Sequence, residues 1–266
     1  MNIEFKNQTQ ARKETGLSYL GGVNISAKVK KNMLINQLTY ILYLAPANVS
    51  RYNTCSHSTP ECRLGCLNTS GRNGMEIISG KNKIQNARIK KTELLFEEKD
   101  FFMNWLVSEI KTYQNKAKRT NMDFSVRLNG TSDIDWQRIK LNGKNIFQIY
   151  SDVQFYDYTK NPAKFKNLPD NYHLTFSYSG RNTNECINLL SKGFNVATVF
   201  DVKKIEQLPK TFLGYPVVSG DITDYRVKDG KGKVIGLKFK RIADQNAQRE
   251  VINSVFVVKL KDIADS

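Results

Sequence analysis

Three cysteines crowd into twelve residues, as Cys55-x6-Cys62-x3-Cys66, and the fourth, Cys186, lies far away in the chain. Thiolates are soft ligands that suit zinc and iron–sulfur centres. The segment Asn53-Thr54-Cys55-Ser56-His57-Ser58-Thr59-Pro60-Glu61-Cys62-Arg63-Leu64-Gly65-Cys66 is rich in turn formers and small residues, so its backbone can wrap a centre. Three ligands from one loop leave one iron of a 4Fe-4S cluster open to a substrate or cofactor. A structural zinc needs four ligands, and Cys186 or His57 is then the fourth. Disulfides do not suit a long cytosolic chain. Core cysteines belong to apolar periodic segments, as Cys186 does beside Leu189 and Leu190. The loop cysteines do not, and Cys55, Cys62 and Cys66 are the expected metal ligands.

A second group of residues stands at the ends of expected strands. Arg127 could pair a phosphate or carboxylate with both arms of its guanidinium. Asp133, reached through Thr131 and Ser132, could bind a ribose hydroxyl or act as a general base. A capping turn with a surface ion pair is the plainer account of the same residues. Lys160 could neutralise an anionic substrate, and Ser179 with Arg181 repeats that arrangement on the next strand. Asp221 and Asp224, with Arg226, could position an amine or a metal, although Asp-x2-Asp also makes turns.

These side chains need strands to carry them. Aromatic and β-branched runs predict strands at 38–44, 123–129, 154–160, 172–179, 194–200, 215–219 and 234–240. A helical stretch is expected over 84–118, with Phe101, Phe102, Trp105, Leu106, Ile110 and Tyr113 spaced near three and four. A further helix is expected over Asn184–Lys192, capped by Asn184 or Thr183 and stopped by Gly193. Strands alternating with helices, and ending in polar residues, predict a parallel α/β arrangement with ligands at the carboxyl ends. A complete or partial (β/α) barrel fits the strand number, with a doubly wound open sheet as the alternative. No linker interrupts residues 1–266, which predicts a single domain with 45–75 as its cysteine loop.

The 266 residues carry 41 Lys and Arg against 25 Asp and Glu, a formal charge of +16. Such an excess attracts polyanions, DNA or RNA among them. Basic residues gather at Lys28-Lys30-Lys31, at Lys116-Lys118-Arg119 and through 228–241. No window is apolar enough to span a membrane, and Met1–Lys6 lacks the apolar stretch of a secretory signal, so the expected location is cytoplasmic.

Several stretches in order carry a family resemblance. They are Thr15-Gly16-Leu17-Ser18-Tyr19-Leu20-Gly21, Tyr43-Leu44-Ala45-Pro46-Ala47 with the cysteine loop, and Ala87-Arg88-Ile89-Lys90-Lys91-Thr92. Further on come Arg127-Leu128-Asn129-Gly130-Thr131-Ser132-Asp133, Phe176-Ser177-Tyr178-Ser179-Gly180 and Ser219-Gly220-Asp221-x2-Asp224-x-Arg226. Together they resemble the phage- and plasmid-encoded gene product 88-like proteins. The resemblance implies a plan similar to radical S-adenosylmethionine barrels, with a 4Fe-4S cluster and S-adenosylmethionine as cofactors, and host cytoplasm as the location. The cysteine spacing departs from the Cys-x3-Cys-x2-Cys of those enzymes. The expected function is an iron–sulfur enzyme acting on nucleic acid or another phosphate-bearing substrate. The alternative is a zinc-stabilised nucleic-acid-binding protein without catalysis.

Overall fold

The computed structural model describes residues 4–23 and 25–264. The first three residues of the Met1–Lys6 stretch read for a signal lie outside the described residues. In chain order the elements are α1 (Gln8–Thr15), β1 (Gly21–Val23), α2 (Ala27–Lys30), β2 (Gln37–Leu42), α3 (Pro60–Leu64), α4 (Gly71–Ile78), α5 (Lys83–Glu97), α6 (Lys99–Arg119), β3 (Asp123–Arg127), β4 (Lys140–Leu141) and β5 (Lys144–Asn145). There follow α7 (Ile146–Ile149), β6 (Gln154–Thr159), β7 (Tyr172–Ser177), α8 (Thr183–Ser191), β8 (Asn195–Phe200), β9 (Thr211–Phe212), β10 (Tyr215–Ser219), β11 (Val234–Lys238), α9 (Gln245–Ile252), β12 (Val257–Val258) and α10 (Lys261–Ala264).

The strands pair in the order β1-β2-β3-β6-β7-β8-β11-β10-β9, with β12 also on β8 and β4–β5 as a separate hairpin. β1 and β9 are antiparallel to their neighbours. The pairs β2–β3, β3–β6, β7–β8, β8–β11 and β10–β11 are parallel. The protein is therefore α/β with a mostly parallel sheet, as the alternation of strand and helix signals predicts. Among the described residues no pairing joins β1 to β9, so no closed barrel forms. Strands are added in chain order from β1 to β8, without the outward growth in both directions of a doubly wound sheet. Beyond β8 the order reverses, running β11, β10, β9.

All seven expected strands are present, each within two residues of its expected ends. The expected helix over 84–118 is two helices, broken at Glu98 (φ −128°, ψ 56°). α5 buries Lys91, Thr92 and Leu95, and α6 buries a longer apolar stripe from Phe101 to Ala117. The apolar spacing hides a one-residue break of this kind. α8 has its cap position at Asn182, one residue before the expected Thr183. The Asn182 side chain is engaged elsewhere: it accepts from the Ser179 N–H (2.8 Å) and donates to the Ser177 carbonyl (3.0 Å). Gly193, at φ +85°, ends that helix as expected, with the Phe194 N–H returning to the Leu189 carbonyl (3.0 Å).

The chain gathers into two compact units, residues 1–56, 83–157 and 169–173, and residues 57–82, 158–168 and 174–266. It crosses between them several times, so no linker composition marks either. In the first unit α6 lays Phe102, Trp105, Leu106 and Ile110, all wholly buried, beneath β1, β2 and β3. One carboxylate interrupts that apolar stripe. Glu109 accepts from the N–H groups of Leu20 (2.9 Å) and Gly21 (3.0 Å) and from the Tyr40 hydroxyl (2.7 Å), which pins β1 to α6. In the second unit Phe176, Leu189, Leu190, Val196, Phe200 and Val234 form one cluster, and Ile242, Val251, Phe256 and Val257 form another.

Candidate functional site

In the first unit the expected residues gather past the carboxyl ends of β2 and β3. Thr131, in the loop after β3, donates its hydroxyl to the Leu44 carbonyl (2.6 Å). The Asp133 N–H donates to the Thr54 carbonyl (2.8 Å), and the Thr54 hydroxyl donates to the Ala45 carbonyl (2.6 Å). These bonds stitch the loop after β3 to the loop after β2 and hold Cys55 between them. The Cys55 sulfur lies 3.9 Å from the Thr131 carbonyl oxygen, and the residue is partly exposed. Gly130 makes this approach feasible, because a Cβ there would stand 2.7 Å from the Leu42 carbonyl oxygen.

Beneath these loops Asp157 of β6 is almost wholly buried. It accepts from the N–H groups of Asn129 (2.8 Å) and Leu128 (3.3 Å) and from the Tyr172 hydroxyl (3.2 Å), with the Arg127 guanidinium at 3.9 Å. Burial, followed by the Asp157 charge, holds the Tyr172 phenol well above its ordinary range. Asn129 extends the network: its Oδ1 accepts from Ser132 Oγ (2.9 Å), the Ile134 N–H (3.0 Å) and Trp136 Nε1 (3.2 Å). Arg127, Thr131 and Ser132 are buried, and Asp133 is partly exposed. The first three position the loops, and Asp133 is the expected residue of this group that keeps a face to solvent.

Residues of α5, of the chain before β1 and of the loop after β2 also meet. Arg88 of α5 stands over the Tyr43 ring (5.0 Å to its centre), Lys91 over the Tyr19 ring (4.8 Å), and the Ala45 N–H donates to Thr92 Oγ1 (2.9 Å). Lys91 is 6% exposed, and burial lowers its ammonium to about 8 even with Glu109 in its surroundings.

In the second unit Cys62 lies in α3, whose first turn is capped by Thr59 Oγ1 accepting from the Cys62 N–H (3.2 Å). Cys62 is partly buried against Ile242, Val251, Phe256 and Val257. The Cys66 sulfur accepts from the Asn68 N–H (3.4 Å) and caps the short turn Leu67–Thr69. Glu61, beside Cys62, pairs with Arg181 from the loop after β7 (2.7 Å). That hydrogen bond, foremost, lowers the Glu61 carboxyl to about 2. Lys160, just past β6, places its ammonium 5.5 Å from the centre of the Phe256 ring. Phe256 and Glu61 thus bring Lys160 and Arg181 to the surroundings of Cys62.

The remaining expected residues have local partners. The Ser179 hydroxyl accepts from the Arg181 N–H (3.4 Å). Asp221 accepts from the Lys238 N–H (2.8 Å) and ties the loop after β10 to the end of β11. Asp224 is wholly buried, and its carbonyl accepts from Arg226 Nε (3.2 Å), while Arg226 pairs with Asp229 (3.1 Å). Cys186 is buried among Phe176, Leu189 and Leu190, and burial pushes its thiol up to about 12.

No disulfide links the four cysteines. Among the described residues no three His, Cys, Asp or Glu side chains meet in a metal-holding arrangement. Asp157, Asn129, Glu61 and Lys91 escape the sequence reading. Asp157 alone left a signal there, as the single charge within the aromatic run Phe155-Tyr156-Asp157-Tyr158. No curated protein and no solved structure matches the chain. The family model for gene product 88 matches residues 3–253, and the chain therefore belongs to the gene product 88 family.

Proposed function

We propose that the protein is an iron–sulfur enzyme of partial (β/α)-barrel plan, acting on a phosphate-bearing substrate at the carboxyl ends of its parallel strands. The observation that carries this reading is the placement of Cys55: partly exposed, in the loop after a parallel strand, with its sulfur beside the Thr131 carbonyl. Ligands of open parallel sheets gather at such ends. Thiolates are soft donors, and Cys55, Cys62 and Cys66 are all partly exposed with none in a disulfide, whereas Cys186 is buried. Cys55, Cys62 and Cys66 would hold the cluster through their thiolates. When bound, the cluster supplies one-electron chemistry and an iron with an open position.

The chain's own residues would then do the following. Asp157 and Asn129 fix the loop that carries Thr131, Ser132 and Asp133, and Asp133 faces the substrate as a hydroxyl acceptor or general base. Lys160 and Arg181 would supply positive charge beside Cys62. Anaerobic purification followed by iron and acid-labile sulfide analysis tests the reading. Iron and sulfide in stoichiometric amounts support it. Zinc without iron turns it into the zinc-stabilised alternative, and no metal after anaerobic reconstitution overturns both.

A further inference from the structure

The outer face of α9 and the chain that enters it form a groove of about 330 Å³, lined by Arg241, Gln245, Gln248, Arg249 and Ile252. The four helical residues are spaced i, i+3, i+4 and i+7, and so share one face. Arg241 and Arg249 are exposed, and no acid is among the lining residues. The two acids nearest in sequence are Asp244 and Glu250. Asp244 is engaged as the helix cap, accepting from the Ala247 N–H (2.7 Å). Gln248 accepts from the Ile242 N–H (3.2 Å) through its oxygen, which leaves its amide nitrogen as a donor to the groove.

The groove is firmly backed. On the opposite face of α9, Ala247 and Val251 pack with Ile242, Phe256, Cys62 and Leu64. Ser70 bridges to Ile242, and the Ala243 N–H donates to the Thr69 carbonyl (3.3 Å). The segment that carries Cys62 and Cys66 therefore braces the wall from which Arg241 and Arg249 project.

We propose that this groove binds the phosphodiester backbone of a nucleic acid. Arginine forks match phosphate oxygens in pairs, glutamine amides donate to phosphates and to base edges, and Ile252 offers an apolar wall to a sugar. The net charge of +16 and the basic run Lys238, Lys240, Arg241 leading into the groove favour a polyanion over a small anion. The inference shares with the cluster reading only the expectation of a phosphate-bearing partner.

Fluorescence anisotropy with a labelled DNA duplex and a labelled RNA strand, at several salt concentrations, tests it on the full chain. The double variant R241Q/R249Q is expected to lose about tenfold or more in affinity. Its slope of log affinity against log salt should fall by about two. A control pair on the separate β4–β5 hairpin, K140Q/K144Q, is expected to keep both, and circular dichroism checks that each variant is folded. Absence of binding by the unaltered protein overturns the proposal, as does a folded R241Q/R249Q with unchanged affinity and slope. Competition by polyglutamate as strong as by nucleic acid overturns it too. Metal content is read on the same preparations: binding without metal defeats the cluster reading alone, and metal without binding defeats this proposal alone.

Discussion

At the scale of single residues, Asn129 and Lys91 are the most exposed to test, because each is buried with a defined electrical task. Asn129 serves three donors at one oxygen and gives its own N–H to Asp157. N129A strands Ser132 and the Trp136 indole and is expected to cost about 3 kcal/mol, measured as a lower urea midpoint with an unchanged slope. Lys91 has its ammonium lowered from 10.5 to about 8 by burial. Between about pH 8 and 10.5 the unfolded chain holds a proton at this lysine that the folded chain has released. Stability must therefore rise with pH across that window, by up to about 3 kcal/mol at this one site. K91M removes that contribution, and a denaturation series from pH 7.5 to 10.5 would show a flatter rise than in the unaltered protein. An equally steep rise in K91M would mean that the lysine is not held in the way described.

At the scale of elements, the seven principal strands were legible because each is a run of five or six residues with aromatic or β-branched character. The strands β1, β4, β5, β9 and β12 are two or three residues long, too short to carry a periodic signal, and tertiary pairing alone defines them. The Glu98 break escaped for a related reason: the stripes of α5 and α6 follow one another at helical spacing. The candidate site divides in the same way. Its cysteines and strand-end residues could be read from type and position, but Glu61 and Asn129 act through partners far away in the chain. Gly180 shows how tightly one strand end is placed. Its φ is +80°, and a Cβ there would stand 2.2 Å from the Val255 carbonyl oxygen. G180A must therefore strain the backbone and push on the turn after α9, costing about 2 kcal/mol or more. A melting temperature equal to that of the unaltered protein would contradict this placement.

For the molecule as a whole, the charge of +16 colours a folded surface, because its basic residues are spread over many segments. Among the described residues no helix is long and apolar enough to cross a membrane. The central claim rests on three thiols and not on the charge. It is tested most directly by metal and sulfide analysis of anaerobically prepared C55A, C62A, C66A and C186A proteins beside the unaltered chain. The account predicts iron and sulfide in the unaltered protein and in C186A, and their loss, severalfold or complete, in each of C55A, C62A and C66A. Metal content that is unchanged in all three loop variants, or absent from the unaltered protein, would contradict it.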